Sequence, residues 1–343
     1  MNPSSVHVMG VGSPVVDFVA EVPEAVLQSV PGVKGGMELV DADRLESLMT
    51  LVEGFPVKTP GGSAGNTTFA LARLGMSCAF MGKLGDDANG VYYKEHFRNI
   101  GGDCSRFKRD GGRPTASCLS LVTPDSERTM RTDLGAAMGF GPEDVSASDF
   151  EGCRHVHVEG YLLFNPDLLL AVLDAARAAG CSVSLDLGSF EVVEAAGPAL
   201  PGILDEYVDI VFANETEAAA FCGASDPDSG LSALGNACGV AAVKIGSAGA
   251  WLRRGTDTVH VPAIPAAKVV DTTGAGDYWA AGFLFGHLNG YSLTTSGRLG
   301  SLLGKHVVET MGAFLAPESW DRIILEATLL LNHKEEIDAD EPQ

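Results

Sequence analysis

The chain has 343 residues, 45% of them hydrophobic, with 45 acidic against 23 basic side chains and a formal charge of −22. That length buries one large core or two smaller ones, and the acidic excess excludes nucleic acid and anionic membrane as partners, because no basic surplus is there to replace phosphate counterions. A polyphosphate ligand of so acidic a chain has to be held by backbone N–H groups, metal ions and a few placed cations.

No run of about 18 or more apolar residues occurs, and residues 1–9 lack the basic start and long apolar stretch of a signal peptide, so a soluble cytoplasmic protein is expected. The seven cysteines form no CxxC pair, which favours free thiols over a disulfide framework or a zinc site. Gly10-Val11-Gly12 has no third glycine in register, and VVDFVAEV (15–22) after it alternates like a strand. The dinucleotide fingerprint therefore fails, and a dehydrogenase is disfavoured. Asp17 in that strand either clamps a diol or faces solvent. GGSAGNTTFALARLG (61–75) runs from glycines into a helix with Asn66 in its first turn. Close backbone approach plus an amide that both donates and accepts suits the adjacent hydroxyls of a sugar; Ser63 as a plain N-cap is the competing reading. ASCLSLV, the turn TPDS and ERTMRTD (116–133) form a hairpin. Segments 13–45 and 112–135 are expected to build a small β lid, of the kind that closes over a substrate and excludes water. Its open sheet makes a homodimer through the lid a further expectation. Lys83, Arg128 and Arg131 are candidate phosphate cations, with a plain solvated role as the alternative.

From about residue 154, short apolar runs alternate with helical stretches: HVHVEGYLL, PDLLLAVLDAARAAG, CSVSLDLG, VDIVFAN, ETEAAAFCG. This βαβα pattern predicts an α/β fold with a largely parallel sheet covered by helices on both faces. His155 and His157 share a strand face without an evident third ligand, which favours a structural role. Asn214 and Glu217 have capping-box spacing, and they also lie where such sheets bind ligands, so a Mg²⁺ role stays open. VAAVKIG, AWLRRG and TVHVP (240–262) look like antiparallel edge strands. Three helices near 276–289, 294–311 and 317–332 close the chain before an acidic tail, 334–343, expected to be disordered.

The strongest local signal is DTTGAGD (271–277), glycines at a helix start. Gly274, Ala275 and Gly276 let an anion approach backbone N–H groups at the positive end of the helix dipole. Asp277 falls in the first turn, where the dipole keeps it ionised. It can then accept a hydroxyl proton, which suffices for a base in phosphoryl transfer. An acidic first-turn residue favoured by the dipole alone is the structural alternative. No G-x-x-x-x-G-K followed by Ser or Thr exists, since Gly304-Lys305 precedes His306 in a helical stretch.

Gly61-Gly62 through Asn66 and DTTGAGD, with NETE (214–217) and KIGSAGA (244–250) between them, together resemble the ribokinase-like, or PfkB, carbohydrate kinase family over nearly the whole chain. The resemblance implies a three-layer α/β fold with a mostly parallel central sheet and a small β lid, using ATP and Mg²⁺ and, in some members, K⁺. It implies that Asp277 is the catalytic base and that 274–276 form the anion hole. Asp17, Gly61, Gly62, Asn66 and Arg128 would bind the acceptor. Asn214, Lys244, Gly246, Gly249, Thr272 and Ala313 would surround the nucleotide, with the helix around 306–313 beside its base. Glu217 would reach Mg²⁺ through water, and Asp271 and Thr273 would lie near a monovalent cation. VVDFVAEV, KGGMELVD (34–41), ERTMRTDLGAA (127–137) and VEGYLL (158–163) look like the adenosine-kinase-like branch, implying a nucleoside or compact sugar as acceptor. Two departures stand out. Asp186-Leu187-Gly188-Ser189-Phe190 occupies the place of the D-x-N-x-R of many sugar kinases, and Tyr278 and Trp279 are bulky neighbours for a base. The expected function is ATP-dependent phosphotransfer to a primary hydroxyl of a nucleoside or sugar. A ribokinase- or fructokinase-type sugar kinase and a catalytically silent nucleoside-binding regulator on the same fold are the alternatives.

Overall fold

The computed structural model describes residues 6–339 apart from Ser126 and Ser225. Its main sheet has eight strands, in the order Asp257–Val261, Ala250–Arg254, Val240–Lys244, Ile210–Asn214, Ser182–Asp186, His155–Glu159, Val8–Val11 and Cys78–Met81. The six from Val240–Lys244 to Cys78–Met81 pair in parallel, and the last two strands in the chain add an antiparallel edge. Alternation sorts their side chains. Val156, Val158, Val183, Leu185, Val211 and Val243 face one layer of helices, and Val8, Phe80, Ile210, Phe212 and Ala242 face the other, built mainly from Ser63–Arg73, Ala275–Leu288 and Leu293–Val307.

One stripe on the second face is polar although fully buried. Ser184 Oγ bridges His155 Nε2 (2.8 Å) and His157 Nδ1 (2.9 Å), while Ser182 Oγ meets His155 Nδ1 at 2.8 Å. Burial, with the neighbouring imidazole, pushes His155 down to about 3, and burial pushes His157 down to about 4, so both rings are neutral. Among the described residues no group of three or more potential metal ligands occurs.

The second sheet has five strands, in the order Met37–Leu39, Arg128–Asp133, Ser117–Val122, Val15–Glu21 and Val57–Gly61. Four lie within the expected lid segments. The fifth, Val57–Gly61, lies outside them, and it pairs antiparallel with Val15–Glu21 across some forty residues of sequence, a contact no local pattern announces. One lid face packs Ala20, Leu119 and Leu121 against the Ala42–Met49 helix, and the other looks into a cleft over the main sheet. The second closing helix stops at Val307, short of the expected 311, where the chain turns so that the Gly312 amide reaches Asp271 Oδ2 (2.8 Å). The last helix, Pro317–Ala339, continues through 334–339 of the expected tail; 340–343 lie outside the described residues. None of the described helices is long and apolar enough to cross a membrane.

Candidate active site

Four neighbouring parallel strands end in a polar residue at the same edge of the sheet: Glu159, Asp186, Asn214 and Lys244. Register sets Glu159 beside Asp186 and Asn214 beside Lys244, at the carboxyl ends where open α/β sheets bind ligands. The cleft above them encloses about 1640 Å³, more than the roughly 300–1,000 Å³ of a pocket for one small ligand.

Two glycine-led helix starts meet there. Gly274 takes φ 70° before the helix Ala275–Leu288, and a Cβ on it would lie 2.6 Å from that of Ala313, so glycine is required twice over. The amides of Gly274, Gly276 and Asp277 have no protein acceptor among the described residues, whereas that of Ala275 donates to the Thr272 carbonyl at 3.2 Å. The open anion hole is thus made by three amides, one of them belonging to Asp277 in place of Ala275. Gly62, φ 87°, starts the second helix, Ser63–Arg73, with its Cα pressed against the Ser13 carbonyl. That helix turns Ser63 Oγ and Asn66 Nδ2 onto the two carboxylate oxygens of Asp277, each at 2.8 Å. Ser63 is therefore not an N-cap: Gly62 holds that position, and the Ser63 hydroxyl is given to Asp277. Burial pushes Asp277 up to about 6, against the pull of Asn66, Ser63 and Lys244, so the group is mostly a carboxylate at neutral pH. The helix dipole favours the ionised form, but burial, which opposes it, is the largest influence.

On the lid, Asp17 and Arg128 face the cleft. Burial raises Asp17 to about 7, opposed by Arg128 and reinforced by Asp277. Gly61 stands behind it, where a Cβ would fall 2.2 Å from Asp17 Oδ2. Arg128 Nη1 also lies 3.7 Å from Asp271 Oδ2, joining the lid to the turn under the anion hole. Asp271 Oδ1 accepts from both the amide (2.9 Å) and the hydroxyl (2.6 Å) of Thr273, and Oδ2 from Gly312. Burial opposes its charge, yet these donors and Arg128 hold it below the usual carboxylate range. A carboxylate so occupied orders the turn.

Asn214 and Glu217 form the capping box that their spacing suggested, with Asn214 N and Nδ2 donating to the two Glu217 oxygens at 2.8 and 2.7 Å. Burial pushes Glu217 up. Lys244 Nζ donates to Asp186 Oδ2 at 2.8 Å. Burial works against its charge, but Asp186 and Glu217 outweigh it and raise its pKa. Gly246, Gly249 and Thr272 line the cleft, and Gly249 (φ 107°) admits no side chain because its Cβ would meet the Val261 carbonyl at 2.1 Å.

Some expected residues lie elsewhere. Ala313 is in the turn below Gly274 and outside the cleft, its carbonyl accepting from the Tyr278 hydroxyl at 3.0 Å; helix 306–313 does not exist as such because the helix has ended. Gly61 and Asp271 support cleft residues without lining it. Lys83 is tied to Asp144 (2.8 Å) and the Gly139 carbonyl (2.7 Å), and the wholly buried Arg131 is spent on the carbonyls of Pro31, Gly36 and Met130. Neither faces the cleft. Tyr278 packs on Trp320, while Trp279 faces the cleft with its Nε1 unpartnered.

Two cleft carboxylates were not singled out from the sequence as site residues. Glu159 accepts from Ser13 N (2.8 Å) and Ala64 N (3.3 Å), and burial lifts it to about 7. Asp186 is the partner of Lys244. Both are carboxylates at the carboxyl end of a buried parallel strand, which was the available signal.

A parallel α/β sheet, a β lid, and a buried aspartate beside open helix-start amides define a small-molecule phosphotransferase of the ribokinase-like fold. Residues 39–320 match the pfkB family of carbohydrate kinases, and the chain belongs to that family. The structure of an adenosine kinase from Sinorhizobium meliloti superposes with a TM-score of 0.85 at 36% identity, over 94% of this chain and 100% of that one. An ATP-dependent ribose-1-phosphate kinase of Halopiger xanaduensis is 32% identical over 231 residues, 65% of this chain and 72% of the relative. An adenosine kinase of Saccharomyces cerevisiae is 27% identical over 332 residues, 88% and 94% of the two chains. The chain is accordingly a kinase in a family of ATP-dependent sugar and nucleoside kinases.

Proposed function

We propose that the protein transfers the γ-phosphoryl group of MgATP to a primary hydroxyl of a nucleoside, with Asp277 as the base. The observation that carries this reading is the Asp277 carboxylate, held by Ser63 and Asn66 next to three unoccupied amides and facing Asp17 in one cleft. Asp17 and Asn66 grip the ribose hydroxyls and aim the primary hydroxyl at Asp277. As that oxygen bonds to the γ-phosphorus, its proton passes to Asp277, and the bond from the γ-phosphorus to the bridging oxygen breaks to release ADP. The amides of Gly274, Gly276 and Asp277 bear on the equatorial oxygens, and Gly246, Gly249 and Thr272 flank the nucleotide. Mg²⁺, when bound with ATP, neutralises the phosphate charge; both Glu217 oxygens already serve Asn214, so contact through water suits this residue.

Support for a nucleoside comes from Met37, Leu39, Met130, Met138, Tyr161 and Phe164, an apolar and aromatic wall on the acceptor side suited to a flat base. A sugar acceptor is the second reading, supported by the Halopiger relative's activity. Seven unpaired cysteines support a reducing, cytoplasmic setting, and the exposed lid residues Val33, Phe55 and Val57 support a homodimer through the lid, which a monomeric mass in solution would exclude.

The test is ATP consumption across nucleosides and sugars, with wild type beside Asp277→Asn. A single productive acceptor class and a loss of roughly 10²–10⁴ in kcat for the variant are expected. Turnover on sugars alone would replace the nucleoside, and no turnover with any acceptor would overturn the enzyme reading.

A further inference from the structure

The floor of the cleft carries one cation in an unusual position. Lys244 closes its strand with Nζ 3.0 Å from where a Cβ on Gly276 would stand, so the ammonium lies directly beside the open amides. Its single protein hydrogen bond among the described residues goes to Asp186 Oδ2 at 2.8 Å, although an ammonium has three donors. Two N–H groups of a largely buried side chain therefore remain for a ligand, and the side chain lines the cleft. The other lysine and arginine that line it among the described residues are committed elsewhere: Lys305 pairs with Glu326, and Arg128 sits on the lid between Asp17 and Asp271. Around the anion hole stand Asp186, Glu217 and Asp277, three carboxylates that repel an incoming phosphate. A dianionic phosphoryl group passing between two oxygens at that spot needs a positive charge that moves with neither substrate.

We propose that Lys244 is a catalytic residue, its ammonium contacting an equatorial oxygen of the phosphoryl group in flight, and that Asp186 is the positioning residue that holds Nζ against Gly276. This rests on the kinase reading above and adds a role the nucleotide-wall expectation for Lys244 does not contain. A residue that only lines the nucleotide site stabilises bound ATP and the transition state equally, and a catalytic one favours the transition state. A Cβ on Gly276 would crowd the ammonium at 3.0 Å, so glycine leaves Nζ room beside the open amides.

The experiment compares wild type, Lys244→Met and Lys244→Arg by calorimetric titration with two probes, a nonhydrolysable ATP analogue, and ADP with Mg²⁺ and fluoroaluminate, which imitates the planar phosphoryl group. Thermal melting verifies that each variant is folded, and the arginine variant keeps the charge should the methionine variant fail to fold. Expected for Lys244→Met is a loss of at least about 100-fold for the fluoroaluminate complex, a change under about tenfold for the ATP analogue, and partial recovery of fluoroaluminate binding in Lys244→Arg. Lys244→Ala should regain turnover with added methylammonium, which a purely structural lysine does not allow. Equal weakening of both probes, or weakening of neither, overturns the proposal. A wild type that binds no ATP analogue at all instead defeats the kinase reading itself, so the two failures are distinguishable.

Discussion

The helices Ser63–Arg73 and Ala275–Leu288 begin alike but have opposite charges built against their starts, the Glu159 carboxylate at the first and the Lys244 ammonium at the second. Each starts at a glycine of positive φ, without a side-chain cap, at the rim of the same cleft. The first start is met in part by the protein: Glu159 supplies a carboxylate to Ala64 N and to Ser13 N, while the amides of Gly62, Ser63 and Gly65 have no protein acceptor among the described residues. The second is left open, with three amides and a neighbouring ammonium facing the cleft. The attraction of a helix start for an anion is general; function resides in which charge the chain sets against it. In the first case the result is a joint, because Glu159 ties the point where the chain enters the lid to the helix that follows the return strand.

The comparison is broken most severely by filling the open start. Gly276→Asp puts a carboxylate beside Lys244, imitating Glu159, and should lower kcat by more than about 100-fold while the protein still melts cooperatively; ATP consumption and calorimetry read the two effects. Neutralising the carboxylate at the first start is milder. Glu159→Gln keeps one acceptor oxygen and leaves one amide unpaired, for an expected loss of about 1–3 kcal/mol in urea unfolding. Its pH dependence sharpens the point. Burial raises Glu159 from 4.5 to about 7, so between those values the folded state binds more protons than the unfolded one, and this residue's contribution to stability falls as pH rises. The deficit of the glutamine variant should therefore shrink from pH 5 to pH 8. The smallest effect is on the open site itself. With Asp277 at about 6, kcat should fall as pH drops through 6 and be nearly flat above 7; a profile flat down to pH 5 would remove Asp277 as the base.

The glycine-led starts, the parallel sheet and Asp277 were legible because each is written in a few consecutive residues. What escaped depends on distance. The lid strand Val57–Gly61 is fixed by its pairing with Val15–Glu21. Lys83 and Arg131 are long basic side chains whose commitment to Asp144 and to backbone carbonyls cannot be seen until the chain is folded. Ala313 lies six residues beyond the end of the helix whose pattern points toward it. Glu159 and Asp186 were visible only as charges at strand ends, and their meaning came from lying next to each other at one edge of the sheet.

The row of His155, Ser184 and His157 has a consequence of its own. Sliding either of its two strands by one residue would turn imidazole or hydroxyl toward Val172 and Leu173 on the helical layer opposite, and would bring valine or leucine into the polar row. Apolar alternation alone tells such strands little, since both of their faces are buried. The hydrogen-bonded row works as a key that admits one alignment of two otherwise interchangeable strands, and so fixes the edge on which Glu159 and Asp186 stand side by side.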